Sequence, residues 1–243
     1  GVSRKNTGIK IKNLKKDVRK ITMKDIPEEI DCIIHLASLT DVQYCQQNPL
    51  ECFDVNITGT QNVLEIARQK KSKFIFMSSS HVYGIPKKLP ISENNQTNPM
   101  STYSHSKVIG EMLCNAYSKN YDLDISIARI FSVYGAHSPQ HQVITKILNH
   151  LIFQKKLQLG NLFPKRDFIH IQDVISAIIT LVKETNGFNI YNIGTGKSSS
   201  INEVISILTK ITKKNIQIET DITKINNNEI KEIRSDSSKI MSL

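Results

Sequence analysis

Short apolar runs alternate with stretches of helical spacing, and this alternation limits the possible fold more than any other feature of the chain. Residues 31–37 form a brief apolar run of the kind a buried parallel strand needs. In residues 58–71, Val63, Leu64 and Ala67 recur at helical spacing. Residues 73–78 read as the next strand, 103–119 as a helix and 124–130 as a further strand. Strand, helix, strand, helix predicts an α/β fold: a Rossmann-like, doubly wound parallel sheet with right-handed crossovers. Such sheets bind ligands beyond the carboxyl ends of their strands. The polar segments Ser78–Ser80 and Ser132–Gly135 fall at those ends.

After about residue 140 the texture changes. Val143–Gln154 predicts an amphipathic helix, 166–171 a short extended segment, 173–183 a helix and 190–194 a short strand. Ser200 and Glu203 form a capping box opening a helix that runs to Lys210. The expected division is a partial dinucleotide-binding part over 1–140 and a mostly substrate-binding lobe over 141–243, interleaved with the sheet.

With 243 residues the chain can bury one good core. No apolar run reaches the ~18 residues of a membrane span, and no charged-then-apolar secretory start is present. Cys32, Cys45, Cys52 and Cys114 show no Cys-x-x-Cys spacing, so no metal site is expected and a reduced, cytoplasmic setting fits. The net charge of +10 raises nucleic acid as a partner. Its lysines are spread along the chain, however, and the densest stretch, Lys10–Lys24, alternates with apolar residues. The expectation is therefore no nucleic acid and no membrane, with the basic surface favouring anionic small molecules.

Tyr103 and Lys107 lie one helical turn apart on one helix face. A free tyrosine titrates near ~10, too high for a base at neutral pH. An ammonium beside it is expected to favour the phenolate and lower that pKa, so that the pair can exchange a hydroxyl proton during hydride transfer. A lone Tyr-x-x-x-Lys pair is also common on ordinary surface helices.

The segments around the pair carry more weight. His35-Leu-Ala-Ser38, Asn56 to Val63, Met77-Ser-Ser-Ser-His-Val-Tyr-Gly84, Tyr103 to Lys107, Arg129-Ile-Phe-Ser-Val-Tyr-Gly135, Arg166 to Asp173 and Tyr191-Asn-Ile-Gly194 fall in a fixed order. Together they resemble the extended short-chain dehydrogenase/reductase family, in its nucleotide-sugar epimerase/dehydratase branch. The resemblance covers roughly residues 15–240. It implies that Tyr103 is the catalytic base, Lys107 its partner and Ser79 the catalytic hydroxyl. It places Asp17, Val18, Leu36, Ala37, Ser38, Asn56 and Ser78, with Tyr103 and Lys107, around NAD. It places Ser79, Ser80, His81, Ser132 and Arg166 around a nucleotide-diphosphate sugar, Arg166 gripping the diphosphate with its guanidinium fork. It also implies a homodimer through the helices at 58–71 and 103–119. The stretch Leu159–Phe168 leans towards members acting on GDP- or CDP-linked 6-deoxy or 4-keto sugars.

In the family's 4,6-dehydratases an Asp-Glu pair follows the catalytic Ser/Thr; here Ser80 and His81 stand there. Dehydration needs a carboxyl group to protonate the leaving hydroxyl. The resemblance then implies 4-epimerisation with tightly held NAD, as in UDP-glucose 4-epimerase, or one-way reduction of a 4-keto sugar. For His81 the two readings are a proton donor and a strand-end histidine hydrogen-bonded to backbone.

Departures from the family pattern set further expectations. The family opens with a Gly-x-x-Gly-x-x-Gly turn that holds the cofactor pyrophosphate. The ten glycines here include no such cluster. The chain is expected to be a fragment, truncated at both ends, with its first family strand missing, poor NAD binding alone and marginal stability. The Tyr191–Gly196 segment resembles a phosphate loop without the right spacing and is expected to turn the chain. Ser132 replaces the family's asparagine, and Asn226 stands where a second phosphate-binding arginine is common. NAD and NADP both stay open: Arg4 and Lys5 suit a 2'-phosphate or a plain basic loop.

Overall fold

A computed structural model describes residues 1–3, 13–140, 142–153, 156–214, 217–220 and 230–243. Four parallel strands form the main sheet: β1 (Cys32–His35), β2 (Lys73–Ser79), β3 (Ile125–Ile130) and β4 (Phe188–Ile193), in the order β4-β3-β2-β1. Their registers include His35 beside Phe76, Ser78 beside Arg129, and Ile130 beside Ile193. β2 and β3 are buried on both faces, which is why they read as nearly continuous apolar runs.

Helices cover both faces, as a doubly wound fold requires. On one side α3 (Gly59–Lys70) and α4 (Thr102–Tyr121) bury Val63, Leu64, Ala67 and Cys114 against Phe74, Phe76, Ile125 and Ile127. On the other, α6 (Ile171–Glu184) sets Val174, Ile178 and Leu181 against Ile75, Ala128 and Ile193. Lys73 closes the far end of α6 by donating to the carbonyls of Val182 and Thr185. Before α3, the short helices α1 (Val42–Gln47) and α2 (Pro49–Phe53) bring Cys45 and Cys52 against Tyr103.

The segment after residue 140 enters the main sheet through β4. It also builds a separate cluster in which α5 (Val143–Phe153) and α7 (Ile201–Thr212) pack Ile147, Leu151, Val204 and Ile205 together. The Ser200–Glu203 capping box forms as expected: Ser200 Oγ accepts from Glu203 N at 3.1 Å, and Glu203 accepts from Ser200 N at 2.7 Å. The extended segment at 166–171 resolves into two short strands, Lys165–Arg166 and Phe168–His170, on either side of Asp167.

Among the described residues β1 is an edge of this sheet, and Ile34 and the following Leu36 are exposed there. Val2–Ser3 pairs separately with Leu14–Lys15. Among the described residues no helix is long and apolar enough to cross a membrane. Arg4, Lys5 and Asn226 lie outside the described residues.

Candidate active site

The helix α4 is fixed at its start by a cap. Ser101 Oγ accepts from Ser104 N at 3.2 Å, and Ser104 Oγ accepts from Ser101 N at 2.9 Å, satisfying two otherwise unpaired first-turn donors. Tyr103 sits in this first turn and Lys107 one turn on. The helix can approach β2 closely because Gly110 has no side chain: a Cβ there would lie 2.4 Å from the Phe76 ring.

At the end of β2, Ser79 caps the 3-10 turn at Ser80–Tyr83 by accepting from His81 N at 3.3 Å. Its hydroxyl shares the cavity wall with the Tyr103 phenol and favours the phenolate. Lys107 Nζ donates to the Met77 carbonyl at 2.9 Å and lies over the rings of Phe76 (5.2 Å) and Tyr103 (5.8 Å).

The electrostatics of the pair differ from the sequence expectation. Burial pushes the Tyr103 phenol up to about 12, with the Ser79 hydrogen bond opposing it and the Cys45 and Cys52 thiols adding to it. Lys107 does not lower this value as expected: its ammonium sits over the ring face and donates to Met77. Burial in turn lowers Lys107 to about 8, which still leaves it largely protonated at neutral pH.

A cavity of about 670 Å3 opens above these groups. Of the residues singled out in the sequence, Leu36, Ser38, Ser78, Ser79, Ser80, His81, Tyr103, Lys107, Ser132 and Arg166 all line it. Asn56 acts behind the lining. Its amide accepts from Leu39 N (2.7 Å) and donates to Leu39 O (3.0 Å) and Ser106 Oγ (2.9 Å), tying the loop after β1 to α4. Asp17, Val18 and Ala37 are not in the wall. Asp17 caps a short turn and pairs with Arg19 at 2.7 Å, Val18 is buried against α3, and Ala37 is exposed.

His81 faces the cavity while protein atoms crowd its imidazole, so desolvation lowers its pKa and the Arg166 charge lowers it further. Its ring rests edge-on against Tyr103, with centroids 5.9 Å apart. The reading of a histidine ring bound to backbone is thereby corrected: among the described residues the ring has no backbone partner, and the bond His81 does make runs from its backbone N–H to the Ser79 hydroxyl. Arg166 Nη1 donates to the carbonyls of Lys165 (3.0 Å) and Ile230 (2.9 Å). The neighbouring Asp167 is buried. Its carboxylate accepts from Thr195 N and Oγ1, Gly196 N, and Ser235 N and Oγ. The loop that resembled a phosphate site thus spends its N–H groups on Asp167, and Gly196 supplies the positive φ of the turn.

Several wall residues were not singled out in the sequence: Thr40, Val42, Phe131, Gln142, Val143 and Asn161. They come from loops and helix starts, where local pattern does not say which side chain will face the cavity. Glu111, which lies below the wall, was legible in principle because it continues the four-residue spacing of Tyr103 and Lys107.

The family model described as GDP-mannose 4,6 dehydratase matches residues 10–241. The chain belongs to this family. It is 30% identical over 206 residues to the UDP-glucose 4-epimerase of Lactobacillus helveticus, a match covering 76% of this chain and 62% of that protein. It is 29% identical over 224 residues to the GDP-6-deoxy-D-mannose reductase of Pseudomonas aeruginosa, covering 88% of this chain and 74% of that one. The solved UDP-glucuronic acid 4-epimerase from Bacillus cereus, in complex with UDP-glucuronic acid and NAD, superposes with a TM-score of 0.88 at 30% identity, over 95% of this chain and 74% of that one. The expected resemblance and the Rossmann-like α/β fold are both borne out. The chain spans less than two thirds of the length of the Lactobacillus relative.

Proposed function

We propose that these residues form the reacting end of an NAD-dependent nucleotide-sugar 4-epimerase. One observation carries the reading: Ser79, Tyr103 and Lys107 share the wall of one cavity, in which the residues after Ser79, Ser80 and His81, hold no carboxyl group. Removal of a sugar hydroxyl would need such an acid. Besides a bound hydride acceptor that returns the hydride to the other face, inversion at C4 would need only a group that takes a proton from the C4 hydroxyl and later returns it.

The residues fit the ribose–nicotinamide end of the cofactor. Lys107 is a buried ammonium in the cavity wall with one protein acceptor, the Met77 carbonyl, so its remaining N–H groups suit ribose hydroxyls. Leu36 and Ser38 line the path towards it. A glycine-rich pyrophosphate turn is not among these 243 residues. When bound, oxidised NAD supplies the hydride acceptor and a positive charge.

In this reading Ser79 aligns the sugar hydroxyl, the Tyr103 phenolate takes its proton and becomes the neutral phenol, and the Lys107 ammonium favours the phenolate before the transfer. Arg166, which lines the same cavity, holds the diphosphate together with Ser132. The division at residue 140 follows the same logic, with Tyr103 and Ser79 before it and Arg166 after it. The proposed assembly is a homodimer through α3 and α4, where Met112 and Tyr121 are exposed. A reductase acting on an NDP-4-keto-6-deoxy sugar is the second reading, favoured by the wider coverage of the Pseudomonas reductase.

The test is an NMR assay of C4 inversion with UDP-, GDP- and CDP-sugars, using the protein expressed from its full reading frame and Tyr103→Phe as control. Inversion lost in the control is the expected result. Consumption of NADH or NADPH with a 4-keto sugar, without inversion, would establish the reductase. No turnover and no NAD binding would mark a non-catalytic member.

A further inference from the structure

Two consecutive residues of β2 are tied to two residues spaced four apart on α4. Lys107 Nζ donates to Met77 O (2.9 Å) and Ser78 Oγ donates to Glu111 Oε1 (2.5 Å), while the next residue, Ser79, shares the cavity wall with Tyr103. Spacing of i, i+4, i+8 puts Tyr103, Lys107 and Glu111 on one helix face. Strand and helix are thus fastened at two points beside the reacting pair.

Glu111 does not hold its place alone. Arg129, directly beside Ser78 in the register of β2 and β3, grips both carboxylate oxygens: Nε to Oε1 at 3.0 Å and Nη2 to Oε2 at 2.7 Å. Its Nη1 donates to the Tyr83 hydroxyl (2.9 Å) and the Glu93 carbonyl (3.2 Å). Tyr83 in turn donates to Asn192 Oδ1 at 2.7 Å. The segment that carries Ser79 is therefore held on both sides, at Ser78 and at Tyr83. Glu111, Arg129 and Tyr83 do not line the cavity.

Stability is a weak explanation for this arrangement. Glu111 and Arg129 are almost fully buried. A buried ion pair recovers its desolvation cost only in part, and well-packed apolar residues often serve the fold as well or better. An apolar pair would pack, but it would not fix the depth of Ser78 against the helix. Proton transfer is sensitive to such placement, since an error of about 1 Å can cost ~100-fold in rate.

We propose that Glu111, clamped by Arg129, is a positioning residue that sets the Tyr103–Ser79 geometry by fastening Ser78 to the helix that carries Tyr103. The inference rests on the role proposed for Tyr103 and deepens it. Ser78→Ala cuts the fastening while leaving the ion pair whole. Glu111→Asp keeps the charge and shortens the reach, and serves as the second variant.

In both variants kcat is expected to fall about tenfold, with KM for the nucleotide sugar within about twofold and the melting temperature within a few degrees of the parent. The 13C signal of the Tyr103 ring carbon bearing the hydroxyl, assigned with Tyr103→Phe, is expected to move in the protein without substrate. That measurement needs no turnover, so it decides the positioning role even if no nucleotide sugar reacts. An unmoved Tyr103 signal overturns the inference, whatever the activity. So does a loss of kcat that follows the loss of folded protein.

Discussion

Glu111 and Asp167 are both buried carboxylates, and the chain satisfies them in opposite ways. Glu111, one turn beyond Lys107 on α4, meets a full positive charge, the guanidinium of Arg129, plus one serine hydroxyl. Asp167, beside Arg166 of the cavity wall, meets neutral donors: three backbone N–H groups and the hydroxyls of Thr195 and Ser235. The first joins two regular elements, a strand and a helix, whose side chains reach across a packed core. The second gathers three irregular segments, around residues 167, 195 and 235, whose own N–H groups would otherwise lie unpaired. Where backbone is already paired within the sheet, the fold uses side-chain charge. Where backbone is unpaired, one carboxylate collects it.

This contrast predicts an order of effects. Arg129→Met leaves Glu111 buried without its countercharge and is expected to cost about 3–5 kcal/mol. Adding Glu111→Gln should recover part of that loss, measurable by urea denaturation. Asp167→Asn keeps the shape but turns an N–H2 group towards donors, with an expected cost of about 3 kcal/mol. If it proves costlier than Arg129→Met, neutral donors hold a buried carboxylate better than an ion pair does, and the comparison reverses.

The reacting end should also respond to pH. Lys107 titrates at about 8 in the folded chain, below its ordinary 10.5, so in that interval the unfolded chain binds more protons. Its cost to stability is fully present below about pH 8 and is relieved as pH rises towards the unfolded value. Relative to Lys107→Met, the parent should gain ~2 kcal/mol between about pH 7 and about pH 9.5. A flat difference would mean that Lys107 is better solvated than its burial implies. The smallest effect is expected at Ser200→Ala, which removes one cap of α7 and should cost ~1 kcal/mol by thermal unfolding.

The alternation of apolar runs made the four parallel strands and their helices legible, because burial on both sheet faces leaves its period in the residues. The Ser200 capping box was legible for a similar reason: a local hydrogen-bond pattern needs only local sequence. Tyr103, Lys107 and Ser79 could be picked out through family resemblance, and ten of the residues singled out line one cavity. Asp17, Val18 and Ala37 do not, since their placement depends on how loops pass the sheet edge. Gln142 left no signal at all, because a loop residue becomes a wall residue only through the packing of distant segments.

By itself, the sequence determined the element types, the spacing that puts Tyr103, Lys107 and Glu111 on one helix face, and the lack of a carboxyl group at positions 80 and 81. Those properties depend on neighbours along the chain. The tertiary structure alone decided the state of the pair: a phenol pushed up to about 12 and an ammonium drawn down to about 8. It also decided that Arg129 meets Glu111 and that Asp167 meets Thr195, Gly196 and Ser235. Burial and long-range hydrogen bonding set those properties, and both arise only when strands and loops far apart in the chain are brought within bonding distance.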